Sequence, residues 1–161
     1  MVEPISDNHI NDDISIIYIE DSDDVRFACE QTLTLAGYRV IAFPNAKQSL
    51  AEIRRQTNII VLTDVRLPGL SGLDLLQHII EIDAEIPVIL ITGHGDVEMA
   101  VEAMRNGAWD FIEKPCSSEK LLAILARAAE KRPPVASGVF GNSTRVLLSV
   151  PASRVSRMIS P

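Results

Sequence analysis

The chain has 161 residues, 47% hydrophobic and 23% charged, the balance of one soluble folded domain. Its net charge is −7, and the first 132 residues hold all 22 acids against 12 of the 15 basic residues; so acidic a body argues against gripping nucleic acid through phosphate neutralisation, and suits a cation. No apolar run approaches the ~18–20 residues of a membrane span, the N-terminus has neither a basic nor an apolar signal region, and two cysteines, Cys29 and Cys116, make no disulfide framework or zinc site, so free thiols in a reducing cytoplasm are expected.

Residues 1–13 are polar and acidic and read as a flexible leader. Ser15–Ile19 is a short β-branched apolar run. Apolar groups at Val25, Ala28, Cys29, Thr32, Leu33 and Ala36 then follow helical spacing until Gly37. Arg39–Ala42 predicts a strand, and Asn45 caps a helix to about Arg55. Ile59–Thr63 is the second strong apolar run. A loop with Pro68, Gly69 and Gly72 leads to a helix with Leu73, Leu76, Ile79 and Ile80 on one face. Pro87–Ile91 predicts a strand, Gly93 and Gly95 a break, and Val97, Ala100, Val101 and Met104 a helix closed by Gly107. Asp110–Ile112 is a short strand, and Ser117 caps a helix to about Lys131 with Leu121, Leu122, Leu125 and Ala129 inward.

Strand and helix thus alternate five times. Near-continuous Val/Ile runs mean strands buried on both faces, hence a parallel sheet between helices. Right-handed crossovers leave few topologies. The expected fold is α/β, a five-stranded doubly wound sheet in the order 2-1-3-4-5 with its site at the carboxyl ends of strands 1 and 3. After Arg132 no period is sustained, and 133–161 read as a linker or disordered tail in which Val146–Val150 is an isolated apolar run. The folded domain is therefore expected over 14–132.

Each strand delivers chemistry at its carboxyl end. Strand 1 supplies Glu20 and Asp21, strand 3 Asp64, strand 4 Thr92, and strand 5 Glu113 and Lys114. Close carboxylates repel, and Mg²⁺ relieves this while keeping waters and phosphate oxygens as further ligands. A carboxylate can also act as nucleophile and form an aspartyl phosphate. Thr92 and Lys114 supply donors for a transferring phosphoryl group.

The segments IEDSDDVR at 19–26, VLTDVRLPGLSGLDLL at 61–76 and VILITGHGDVEMAVEAMRNGAWDFIEKP at 88–115 carry a resemblance. With 28 residues from Asp64 to Thr92 and 22 more to Lys114, the chain from Ile14 to Arg132 resembles the receiver domain of two-component response regulators, with a flavodoxin/CheY-like fold. The TGHGD stretch is most similar to receivers of the NtrC, DctD and FixJ kinds. The resemblance implies that Asp64 is the phosphoacceptor and that Asp64, Thr92 and Lys114 perform the chemistry. It implies Mg²⁺ held by Glu20, Asp21, Asp64 and the backbone carbonyl of Arg66, a cis Lys114–Pro115 bond, and Thr92 with Phe111 as the switch pair. It implies a sensor histidine kinase as donor, and a phosphorylation-dependent homodimer or downstream effector in transcription regulation as output. The chain would act as a signalling phosphoprotein rather than an enzyme, cytoplasmic, without direct nucleic-acid or membrane binding. Three positions depart from the family's habit: Glu20 where Asp is common, Ser71 where Asp often precedes the glycine, and Cys116 where Phe is frequent.

Two other readings remain at this point. One is a Mg²⁺-dependent haloacid-dehalogenase-like phosphatase using Asp21-Ser22-Asp23-Asp24-Val25, though Asp24 stands where Thr or Val belongs. The other is a receiver-like protein-interaction module without phosphorylation. A calcium loop starting at Asp21 is excluded, because its sixth position is Arg26 and its twelfth Thr32. His94 reads as a loop donor, His78 as solvent-facing, and Trp109 as either packing or a partner contact.

Overall fold

The computed structural model describes residues 13–93 and 95–131. The leader up to residue 12, His94, Arg132 and the expected tail with Val146–Val150 lie outside them. Five strands, β1 (Ser15–Ile19), β2 (Arg39–Phe43), β3 (Ile59–Asp64), β4 (Val88–Thr92) and β5 (Asp110–Glu113), alternate with helices α1 (Asp23–Leu35), α2 (Ala46–Arg55), α3 (Gly72–Ile82), α4 (Val97–Arg105) and α5 (Ser118–Glu130). All pairings are parallel and the order is β2-β1-β3-β4-β5. The predicted fold is the observed one.

Side chains alternate across the sheet, so each central strand feeds two cores. Ile16 and Tyr18 of β1, Ile60 and Leu62 of β3, and Ile89 and Ile91 of β4 pack under Leu33 of α1 and under Leu121, Ile124 and Leu125 of α5. Ile17, Ile19, Val61 and Leu90 on the opposite face pack under Ile53 of α2, Leu75, Leu76 and Ile79 of α3, and Ala103 of α4. Every residue of β1, β3 and β4 is buried, which is why those strands read as unbroken apolar runs.

The helix faces differ from the expected ones. In α3 the buried residues are Gly72, Leu75, Leu76 and Ile79, while Leu73 and Ile80 are only partly covered. In α4 the alanines Ala100 and Ala103 turn inward, and Val97, Val101 and Met104 lie exposed. In α5 Ile124 and Ala128 join the buried set and Leu122 is marginal. Only Leu33 of α1 is fully buried. His78 is half-buried rather than solvent-facing and lines a groove with Asn45, Leu50 and Leu70. Trp109 packs partly against the core, with the Lys131 ammonium 5.9 Å from its ring centroid.

Candidate functional site

Parallel strands end together, so the last residues of β1, β3, β4 and β5 meet in one crevice. The strands run to Asp64, Thr92 and Glu113 themselves, one residue beyond the apolar runs, because the ladder continues until the chain turns. Three devices set the loops. The β1–α1 turn is closed by Ser22, which accepts from the Val25 amide, and by Arg26, whose guanidinium donates to the Glu20 carbonyl at 2.8 Å. Ser71 begins α3 in a capping box with Asp74, each side chain accepting from the other's backbone amide. This accounts for Ser at position 71, since a short hydroxyl caps the helix as a carboxylate would. Gly72 follows, and a Cβ there would stand 2.4 Å from the Asp64 carbonyl oxygen. Backbone lies against backbone at the place where the nucleophile candidate is mounted.

Glu20, Asp21 and Asp64 each bring a carboxylate oxygen within 4.8 Å of the others. Glu20 is 3% exposed, and its Oε2 is buried without a hydrogen-bond partner among the described residues. Lys114 Nζ donates to Asp64 Oδ2 at 2.7 Å and lies 3.7 Å from Glu20 Oε1. The Arg66 amide donates to the other oxygen, Asp64 Oδ1, at 3.0 Å. The Lys114–Pro115 bond is cis, as the resemblance implied. The crevice therefore gathers Glu20, Asp21, Asp64 and Lys114 directly, and the main chain of Arg66.

Burial, aided by the neighbouring Asp64, pushes the Glu20 carboxyl up to about 7 against the pull of Lys114. Burial opposes the charge of Lys114 too, but the hydrogen bond to Asp64 and the charge of Asp64 outweigh it, so its pKa is raised. Two groups thus disagree about the site: the ammonium gains from the carboxylates, and the buried carboxylate lacks a second cation. An orphaned, buried acidic oxygen beside two more carboxylates is the donor set a hard divalent cation takes.

A pH dependence follows. Between about 4.5 and 7 the folded protein keeps a proton on Glu20 that the unfolded chain has lost, so without metal this group's contribution to stability falls as pH rises through that window. Glu20→Gln in chelator at pH 8 should therefore be more stable than the wild type, by on the order of 1–3 kcal/mol. Mg²⁺ should stabilise the wild type and leave the variant nearly unmoved. Urea titrations at pH 5 and pH 8, with and without Mg²⁺, measure it; a wild type indifferent to Mg²⁺ at pH 8 would remove the metal reading.

Thr92 and Phe111 are placed differently. Thr92 is buried, and its hydroxyl donates to the Ile112 carbonyl at 3.4 Å. The Lys114 amide donates to the Thr92 carbonyl at 2.7 Å, which ties the end of β4 to the residue just past β5. Phe111 is half-buried against the core that carries Leu90.

The side chain of Arg66 has a partner that the sequence did not reveal. It forks onto Asp96, Nε to Oδ1 at 3.0 Å and Nη2 to Oδ1 at 2.7 Å. The only visible signal was an acid just ahead of Val97, the mark of an N-cap. The reading with Asp21 as nucleophile fits less well: Asp21 is exposed, and the ammonium hydrogen-bonds Asp64.

A family model for the response regulator receiver domain matches residues 16–126. The C4-dicarboxylate transport transcriptional regulatory protein DctD of Rhizobium meliloti is 45% identical over 118 residues, 73% of this chain and 26% of that protein. The transcriptional regulatory protein FixJ of the same organism is 40% identical over 118 residues, 73% of this chain and 58% of FixJ. The chain thus spans about a quarter of the length of DctD and little more than half of FixJ. Among solved structures, FixJ-N superposes with a TM-score of 0.69 at 40% identity, covering 73% of this chain and 94% of that one. A receiver domain protein from Clostridium thermocellum gives 0.71 at 29% identity, covering 73% and 95%.

Proposed function

The chain belongs to the response regulator receiver domain family, and on that premise we propose that Asp64 is its phosphoacceptor. It is a signalling domain of two-component systems. One observation carries the assignment: Lys114 Nζ sits 2.7 Å from Asp64 Oδ2 beside a buried glutamate oxygen that has no partner among the described residues.

In the transfer an Asp64 oxygen attacks the phosphorus of a kinase phosphohistidine. The P–N bond breaks as the P–O bond forms, and the imidazole leaves with the electron pair and takes up a proton. Lys114 compensates charge on the phosphoryl oxygens, and the Arg66 amide orients the carboxylate. Glu20, Asp21, Asp64 and the Arg66 carbonyl would hold Mg²⁺, which when bound supplies positive charge to three carboxylates and a phosphoryl group. The domain thereby assists its own phosphorylation, and its dephosphorylation by water, without turning over a free substrate.

The output is a population shift. Thr92, drawn from the Ile112 carbonyl towards the phosphoryl group, vacates space beside Phe111, and the backbone link from Lys114 to Thr92 ties both movements together. The exposed Val97, Val101 and Met104 of α4 belong to the face whose affinity for an effector or second copy would change. Transcription regulation is the output named for DctD and FixJ, and we assign the same to this protein. We assign the receiver to residues 14–132, of which the family model matches 16–126. No helix among the described residues is long and apolar enough to cross a membrane, and the free thiols of Cys29 and Cys116 suit the cytoplasm.

The test is chemical. With Mg²⁺ and acetyl phosphate the protein should gain one acid-stable, hydroxylamine-labile phosphoryl group. Replacing Glu20 by Gln together with Asp21 by Asn should cut the initial rate at least about a hundredfold, since disturbing only the groups that support metal ligands already costs up to about that much. An unchanged rate would take the acidic cluster out of the mechanism.

A further inference from the structure

Among the described residues, four of the five helices begin on a side chain that accepts from the helix's own first amides: Ser22, Asn45, Ser71 and Ser117. Helix α4 does not. Asp96 holds its N-cap position, at φ −97° and ψ 20°, and makes no capping hydrogen bond. Aspartate is among the best capping residues, so its carboxylate must be engaged elsewhere.

It is engaged by Arg66. Nε donates to both carboxylate oxygens, at 3.0 and 3.1 Å, and Nη2 to Oδ1 at 2.7 Å. Asp96 is 4% exposed, whereas the arginine side chain is 73% exposed. The acid is therefore fixed and the guanidinium is the part free to leave.

The pair joins two loops that matter to the site. Arg66 follows Asp64 by two residues, and its amide already donates to Asp64 Oδ1. Gly93 follows Thr92, and the Asp96 amide donates to the Gly93 carbonyl at 3.2 Å, so Asp96 is also tied to the loop that leaves β4. A phosphoryl group on Asp64 would arrive beside the Arg66 backbone with a charge of about −1.5 to −2. The planar fork of arginine suits phosphate as well as carboxylate, so the new anion competes with Asp96 for the same donors.

We propose that Arg66 is a further phosphoryl-binding residue, held in reserve by Asp96 until Asp64 is modified, and that Asp96, once released, caps α4. One carboxylate cannot serve the guanidinium fork and the first amides of α4 together. The exchange links the chemistry at Asp64 to the start of the helix that exposes Val97 and Val101. The inference rests on Asp64 as phosphoacceptor, and its test separates the two.

Beryllofluoride, a non-covalent stand-in for the phosphoryl group, is titrated with Mg²⁺ into the full chain as wild type, Asp96→Asn, Arg66→Ala and the double variant. Freeing Arg66 by Asp96→Asn should tighten binding about fivefold or more, and the same change in the Arg66→Ala background should do so less than about twofold. Equal gains in both backgrounds would show Asp96 acting only as a nearby charge and overturn the proposal, as would no gain in either. In the wild type the amide resonances of Glu98 and Met99 should move on beryllofluoride addition. In Arg66→Ala, where Asp96 is already released, they should stay near their bound positions throughout. Should Asp96→Asn fail to fold, Arg66→Lys keeps the charge without the fork: weaker binding than wild type supports the proposal, and wild-type affinity overturns it. No beryllofluoride binding by the wild type would bring down the phosphoacceptor reading and this inference with it. Binding without coupling leaves that reading standing and removes the inference alone.

Discussion

Asp64→Asn abolishes phosphoryl uptake from acetyl phosphate, lowering the rate by more than about a thousandfold, the scale of losing a covalent nucleophile. The amide keeps the shape of the carboxylate but offers a poor nucleophile and one charge fewer. The fold should survive. Asp64 contributes to a crowd of acids, and Lys114 retains Glu20 Oε1 at 3.7 Å as a second partner. Intact-mass measurement after incubation with Mg²⁺ and acetyl phosphate reads the outcome directly. Persistent uptake in Asp64→Asn, lost instead in Asp21→Asn, would falsify the assignment and favour the nucleophile of a phosphatase after strand β1.

The second large effect is on stability. Gly72→Ala should cost about 3 kcal/mol, the upper end of overpacking losses. The added Cβ would meet the Asp64 carbonyl oxygen at 2.4 Å and the Val65 Cα at 2.9 Å. Both are backbone atoms, so no flexible side chain can swing aside. Either α3 shifts outward or the end of β3 does. Phosphoryl uptake should fall as well, because β3 carries the phosphoacceptor. Gly69→Ala is the natural control. Gly69 sits at φ +77°, and a Cβ added there would meet nothing within 4 Å, so only backbone strain of about 1–2 kcal/mol is expected. Urea midpoints for the two variants compare them; equal losses would mean that the close approach at Gly72 is relieved at no cost.

The contrast between strands and helices explains what the sequence made legible. The central strands are buried on both faces, so their apolar runs needed no periodicity and their ends placed Glu20, Asp64 and Thr92, while Lys114 follows the partly buried edge strand β5. Helix faces needed a choice among several apolar stripes. In α3, Leu73, Leu75, Leu76, Ile79 and Ile80 satisfy more than one helical spacing, and the face was fixed by which residues Ile53 and Val61 could reach. In α4, Ala100 and Ala103 won the inward face because small side chains let the helix lie close to the sheet. Hydrophobicity alone ranks Val97, Val101 and Met104 above them. The Arg66–Asp96 pair was illegible for another reason. Its members are 30 residues apart, on two loops whose geometry no local pattern encodes. Gly72 was legible as a turn residue, while the nearness of the Asp64 carbonyl was not.

The strand order also bears on how the chain acquires its site. β1 lies between β2 and β3, so the first 64 residues already contain these three adjoining strands and all three acids of the cluster. Lys114 lies 50 residues beyond Asp64 and arrives with the last strand. Chains are synthesised from the N-terminus, and pairings between distant segments form late. During synthesis, then, Glu20, Asp21 and Asp64 are present in the nascent chain before the lysine that will offset them. The same repulsion that equips the finished crevice for a cation works against its own assembly. A divalent ion present during synthesis would relieve it, acting as a folding aid before it serves any chemistry.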